Sequence, residues 1–222
     1  MSGGRRVVAA ICGALAMSAA AVSMHATAAE PAVAPVESSS AGDAWQFAIT
    51  AYPTDVRGGE RYTSVVGVAD HGSLHLEARH NYESVNATSA FVGWTFSGGD
   101  AIAWEVRPLL GGAWGSLRAL VPAVEASVSA ARFDAYVEAE YVHDHRARGD
   151  SYVYAWSELG FSPVEWLRLG IAGQRTRTYG NDRDFQRGPF VQFTVAKVTV
   201  GGYWFNPGSS EQVFVASLGV AF

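Results

Sequence analysis

The chain is almost without lysine: of its 16 basic side chains only Lys197 is one, and the rest are arginine. It has one cysteine, Cys12, and outside the extreme N-terminus no apolar run of the roughly 18 residues that a helix needs to cross a bilayer. A polytopic helical membrane protein is therefore excluded. Because Cys12 falls within a leader that processing removes, the mature chain has no disulfide and no thiolate metal ligand, although it enters an oxidising compartment. Nucleic-acid binding needs a basic stripe, and with 21 acids against 16 bases there is none.

What is present points to β-structure. Of 222 residues 49% are apolar, 12% are aromatic, 17% are charged and 24 are glycine, the composition of one ordered domain. Residues 1–29 begin with Arg5-Arg6, continue through the apolar Val7 to Val22 and close on the small residues Ala26-Thr27-Ala28, the pattern of a secretory signal peptide. Losing it removes two arginines and no acid, which moves the formal charge from −5 to −7. Residues 30–43, with Pro31, Pro35 and Ser38 to Ser40, form an N-terminal tail on the periplasmic side, and 44–222 form the domain.

The domain divides into segments of roughly 9–11 residues with period-two alternation, the length and pattern of strands that cross a membrane. They are 44–53, 60–69, 72–82, 86–97, 100–112, 120–130, 132–143, 150–162, 166–178, 186–196, 198–206 and 210–222. Every second junction is short: Asp70-His71, Gly98-Gly99, Ala131, Pro163 to Glu165, and Lys197. The others are longer and charged, as in Pro53 to Glu60, Asp144 to Asp150 and Tyr179 to Phe185. This alternation predicts an all-β fold, an antiparallel transmembrane β-barrel of about twelve strands, with both termini at the short-turn end. Ten strands is the alternative, since the glycines between Leu110 and Leu120 could bend strands instead of making a loop.

One face of each segment is apolar: Trp45, Phe47 and Ile49; Leu74 and Leu76; Val92, Trp94 and Phe96; Ile102, Trp104 and Val106; Phe133, Ala135 and Val137; Leu167, Leu169 and Ile171; Val191, Phe193 and Val195. Aromatic rings concentrate in two rows, the mark of two membrane interfaces. Trp45, Trp94, Phe96, Trp104, Phe133, Phe161, Trp166 and Phe222 mark the short-turn end. Tyr52, Tyr62, Tyr82, Trp114, Tyr141, Tyr152 and Trp204 mark the other. The last strand alternates through Phe214, Ala216, Leu218 and Val220 and stops on Phe222. It resembles the closing strand of bacterial outer-membrane barrel proteins, which implies that Phe222 is part of an assembly signal read by the barrel assembly machinery.

The opposite face carries His75, Glu77 and Arg79, then Glu105, Arg107, Glu125, Asp134, Glu138, Glu140, Glu158, Arg168 and Gln174. A hairpin centred on Pro163 would set Glu158 opposite Arg168. Two readings follow from an acid-rich interior with a few arginines. It is the lining of a cation-favouring channel, or a hydrogen-bonded plug that fills a narrow barrel.

Some barrels of this size are lipid hydrolases with a serine beside a histidine at the outer leaflet. His71-Gly72-Ser73 has suitable spacing but falls at a short turn, and His143, Asp144, His145 and Ser151 lack that spacing. The same His143, Asp144 and His145 form only a weak divalent-metal pattern. The texture of Glu140-Tyr141-Val142, Tyr152 to Glu158, Trp166-Leu167-Arg168, Gln174-Arg175-Thr176 and Gln186 to Pro189 is similar to that of small outer-membrane barrels of Gram-negative bacteria. That resemblance implies a fold and a location without a chemistry. The expectation is a non-enzymatic barrel of the outer membrane, without cofactor, in contact with outer-membrane lipid and lipopolysaccharide. It would act as a narrow channel for small cationic or polar solutes, or else as a plugged structural or binding barrel.

Overall fold

The computed structural model describes residues 44–146, 151–178 and 183–222. The leader and the N-terminal tail lie outside the described residues, as do parts of two of the longer loops. Thirteen strands form one sheet: β1 (Gln46–Val56), β2 (Arg61–His71), β3 (Leu74–His80), β4 (Ala87–Trp94), β5 (Phe96–Gly98), β6 (Ala103–Gly115), β7 (Ala119–Ala130), β8 (Phe133–Asp144), β9 (Tyr152–Val164), β10 (Leu167–Thr178), β11 (Arg183–Val195), β12 (Val198–Phe205) and β13 (Val213–Ala221). Each pairs antiparallel with its sequence neighbours, except that β4 and β5 both pair with β6 and not with each other; β1 pairs with β13, so the sheet closes on itself.

Strands β4 and β5 are two halves of one strand. Gly93 pairs with Leu109 and Phe96 with Val106, the same register on either side of a gap that faces Pro108. Proline has no N–H to give the ladder, so the pairing lapses there. The barrel therefore has twelve strands, and the ten-strand alternative falls away. Gly111 and Gly112 continue β6, and the chain turns only at Ser116 to Arg118.

Prolines mark the other departures from the expected boundaries. The first strand does not stop at Pro53. It runs on to Val56, paired with β2 as far as Asp55, while its ladder to β13 skips Tyr52 and Pro53 and resumes at Thr54. The β9–β10 turn falls at Glu165-Trp166, two residues beyond Pro163, so the hairpin is centred later than expected and Ala172 stands opposite Glu158. Arg168 instead faces Gln192 on β11, so the directly opposed Glu158–Arg168 pair expected of that hairpin is not formed. At the short-turn end the links are tight, with Gly72, Ala131 and Ala196 at positive φ. Both ends of the barrel domain lie there, where the backbone of Phe47 and Phe222 exchange two hydrogen bonds of 2.8 and 3.0 Å.

The outer surface carries the apolar face read from the sequence. Trp45, Phe47, Ile49, Leu76, Val92, Trp94, Phe96, Trp104, Phe133, Val137, Leu169, Ile171, Val191, Phe193, Val195 and Phe222 are all exposed. In water such a surface would be a severe liability, whereas against lipid it is the stable arrangement. Three tyrosines assigned to the outer aromatic row are elsewhere. Tyr52 and Tyr82 are fully buried inside the barrel, and Tyr152 turns its hydroxyl inward to the Glu83 carbonyl at 2.6 Å. Tyr52 stands one residue out of step with Phe47 and Ile49, so the pleat carries it inward. Tyr82 follows the end of β3, where Asn81 at φ 55° redirects the chain.

Candidate functional site

The interior is built from inward-facing side chains of every strand, in two zones. Toward the long-loop end lie two apolar clusters. One gathers Tyr52, Tyr154, Trp156, Phe190, Tyr203 and Phe205 with Val66, Val213 and Val215. The other gathers Phe91, Leu109, Leu117, Val121 and Val142 around small alanines. Phe190, Tyr203 and Phe205 stack at 5.3 and 6.1 Å, and Trp156 meets Tyr203 and Phe205 edge-on at 5.4 and 5.3 Å. The sequence reading did not assign this aromatic filling. Its signal was parity, since Tyr154 and Trp156 share a face with Glu158.

Three arginines organise the charges. Arg168 on β10 bonds Asp134 of β8, Glu158 of β9 at 2.6 Å and Gln192 of β11 at 2.9 Å, and its guanidinium lies 4.7 Å from the Phe190 ring. Glu158 also accepts from Trp156 Nε1 and Tyr203 Oη, each at 3.0 Å. Gly160 leaves room for this group, because a Cβ there would press on Arg168 Nε at 2.6 Å. Arg107 on β6 binds Glu125 and Glu105 at 2.7 Å each and donates to Thr95 Oγ1 at 2.9 Å, beside the gap between β4 and β5.

Arg79 is the centre of the third group. Its Nε and Nη2 bond both oxygens of Glu77 at 2.7 and 3.1 Å. Its Nη1 lies 3.0 Å from Glu138, 3.1 Å from Glu140 and 3.8 Å from Glu83. The guanidinium carbon stands 4.2 Å from the Tyr82 ring centre and 4.3 Å from that of Phe91. Arg79 thus reaches from β3 to β8 and shares its charge among four buried carboxyls. His75 below it connects Glu77 at 3.5 Å to Asp70 at 2.6 Å.

The link between β3 and β4 folds into the barrel instead of standing outside it. Asn81 and Asn86, both at positive φ, close the loop through Asn86 N donating to Asn81 Oδ1 at 2.8 Å. Tyr82 Oη then donates to Glu138 at 3.0 Å, and Glu83 accepts from Ser89 Oγ at 2.6 Å. Burial pushes the Glu83 carboxyl above its ordinary value. Glu83 Oε2 and Glu140 Oε1 have no hydrogen-bond partner among the described residues.

Every residue expected on the inner face has a defined place. Glu77, Arg79, Glu125, Glu138, Glu140, Glu158 and Gln174 are buried, with Gln174 bonded to Tyr154 and Gln186. Arg107 and Arg168 are partly buried, and Glu105 is the most open at 36% side-chain exposure. Among the described residues the interior ion pairs draw in nine carboxyls, from Asp70, Glu77, Glu83, Glu105, Glu125, Asp134, Glu138, Glu140 and Glu158, against three arginines and His75. Arg79, Glu138 and Trp156 are each exposed by 1% or less, so those side chains are closed off from solvent.

The hydrolase candidates make other contacts. Ser151 is buried and its Oγ accepts from the Asp144 amide at 3.1 Å, while the His143 ring packs on Tyr141 and His145 at 5.9 and 5.1 Å. His71 packs on Trp45 at 5.0 Å. Among the described residues no group of three His, Cys, Asp or Glu side chains is arranged to hold a metal.

No family model matches the sequence, and no curated protein matches it. Solved structures do share the fold. A KdgM porin superposes with a TM-score of 0.59 at 9% identity, over 79% of this chain and 99% of that one. A KdgM porin in complex with disordered oligogalacturonate gives a TM-score of 0.57 at 7% identity, over 80% and 99%. The architecture is thus that of a porin, a closed antiparallel barrel of twelve strands.

Proposed function

We propose that the chain is a narrow outer-membrane channel of porin architecture, with its lumen shut in the state described above, and that it passes small cationic or polar solutes. The observation that carries this reading is the excess of nine carboxyls over four basic groups along the interior. A barrel that needed only filling would be served as well by apolar side chains, since buried ion pairs contribute little net stability. An acid-lined path lowers the energy of a passing cation and raises that of an anion. The oligogalacturonate held by the second KdgM structure is a polyanion, so likeness of fold does not extend that solute to this chain. In this reading both termini and the short turns face the periplasm, and the strand that ends on Phe222 is offered to the assembly machinery.

A second reading is favoured by the near-zero exposure of Arg79, Glu138 and Trp156: a permanently plugged barrel with a structural role. Planar-bilayer recording of refolded protein separates the two. The channel reading expects conductance steps with a reversal potential that favours cations. It also expects larger or more frequent steps in a Tyr82→Ala, Glu83→Ala variant, whose inward loop has lost its anchors. Silence in both proteins would leave the plug.

A further inference from the structure

The mature barrel has few charges on its lipid side, yet three arginines stand there together. Arg175 and Arg177 on β10 and Arg187 on β11 are exposed, near the long-loop end. Arg175 faces Phe185 in the ladder and Arg187 faces Gly173, so the two arginines are diagonal neighbours, while Arg177 is two residues along the same face from Arg175. Diagonal and two-residue spacings in a sheet are each about 7 Å, within reach of side chains as long as arginine. The three guanidiniums can therefore converge on one ligand. The Phe185 ring leans over Gly173, 3.6 Å from the position of a Cβ, and gives the group an apolar floor.

Charges of one sign at this spacing repel. Of the described outward positions on the flanking strands, Tyr141, Val153, Ala155 and Trp204 bring no carboxylate. A cation facing hydrocarbon costs about 2–4 kcal/mol at the bilayer midplane and little near the interface, so the arginines belong at headgroup height. Toward the middle of the barrel β10 and β11, with the adjacent β9, expose Leu169, Ile171, Val191 and Leu159, an apolar wall. A ligand that satisfies both parts has several phosphates above and several acyl chains below.

We infer that Arg175, Arg177 and Arg187, with Phe185, form a binding site on the outside of the barrel for the phosphates of lipopolysaccharide, whose acyl chains lie along Leu159, Ile171 and Val191. The site does not depend on whether the lumen conducts. Its test is thermal unfolding and native mass spectrometry of the detergent-extracted protein titrated with lipid A carrying two phosphates, lipid A carrying one, and phosphatidylglycerol. The site predicts tightest binding of the two-phosphate form. It predicts about a 100-fold loss of that affinity in the Arg175→Gln, Arg177→Gln, Arg187→Gln variant, at roughly a factor of five per arginine. Heat-modifiable gel mobility will show that this variant is folded. A control variant, Arg57→Gln with Arg118→Gln, should bind like the unaltered protein. The inference is overturned if phosphatidylglycerol binds as tightly as lipid A, if the control loses as much as the triple variant, or if the triple variant binds lipid A unchanged.

Discussion

Replacing Arg79 by methionine tests the electrostatic account of the interior. The substitution keeps a long side chain between the Tyr82 and Phe91 rings but removes the one guanidinium shared by Glu77, Glu83, Glu138 and Glu140. Deleting one partner of a buried ion pair costs about 3–5 kcal/mol. The lost cation–aromatic contacts add about 0.5–2 kcal/mol. Proton uptake by the orphaned carboxyls offsets part of this, so the expected loss is about 4 kcal/mol at pH 8 and less at pH 5. The assay is urea unfolding of the barrel in lipid vesicles, followed by tryptophan fluorescence. Adding Glu77→Gln and Glu138→Gln to Arg79→Met should restore more than half of the loss. A loss below about 1 kcal/mol, or one that neutralising the acids does not relieve, would refute the idea that Arg79 compensates these carboxyls.

Other expectations concern single contacts. The raised Glu83 carboxyl favours the seated loop at acid pH, and its contribution fades as pH climbs from the ordinary carboxyl value of about 4.3 through the higher value in the folded barrel. Maleimide labelling of a Val85→Cys variant, relative to a Ser210→Cys variant on an exposed loop, should therefore quicken with pH, and adding Glu83→Gln should abolish the trend. Gly111 lies under the Phe91 ring, so Gly111→Ala should cost about 1–3 kcal/mol in the same urea assay, with partial rescue by Phe91→Leu. Phe222 is 62% exposed and, among the described residues, stacks only on Phe47, at 5.9 Å. Phe222→Ala should therefore change unfolding by less than about 1 kcal/mol yet lower the amount inserted in the outer membrane several-fold, and equal insertion would remove its assembly role.

The sequence disclosed the barrel wall far better than its contents. Alternation with period two identifies each strand and its outward face, because lipid on one side leaves little tolerance for error at Ile49, Val92 or Leu169. The inward charged residues follow from the same parity. Strand ends are hard to read where proline sits inside a paired strand, as at Pro53, since proline interrupts one ladder for two residues while the other continues. The inward loop could not be read locally. Tyr82 meets Glu138 only after the sheet has closed, 56 residues away along the chain. Tyr52 and Trp156 were legible by parity, but aromatic content alone associates such rings with the interfaces.

The scarcity of lysine gives the barrel a built-in topological marker. Lys197 is exposed in the tight β11–β12 turn, at the end that also carries both termini of the domain. No other primary amine of a side chain exists in the sequence. An amine-reactive dye that cannot cross membranes should leave the barrel domain unlabelled on intact cells and label it once the periplasm is opened. The orientation of the protein can thus be measured on the native sequence, without a tag or an introduced cysteine.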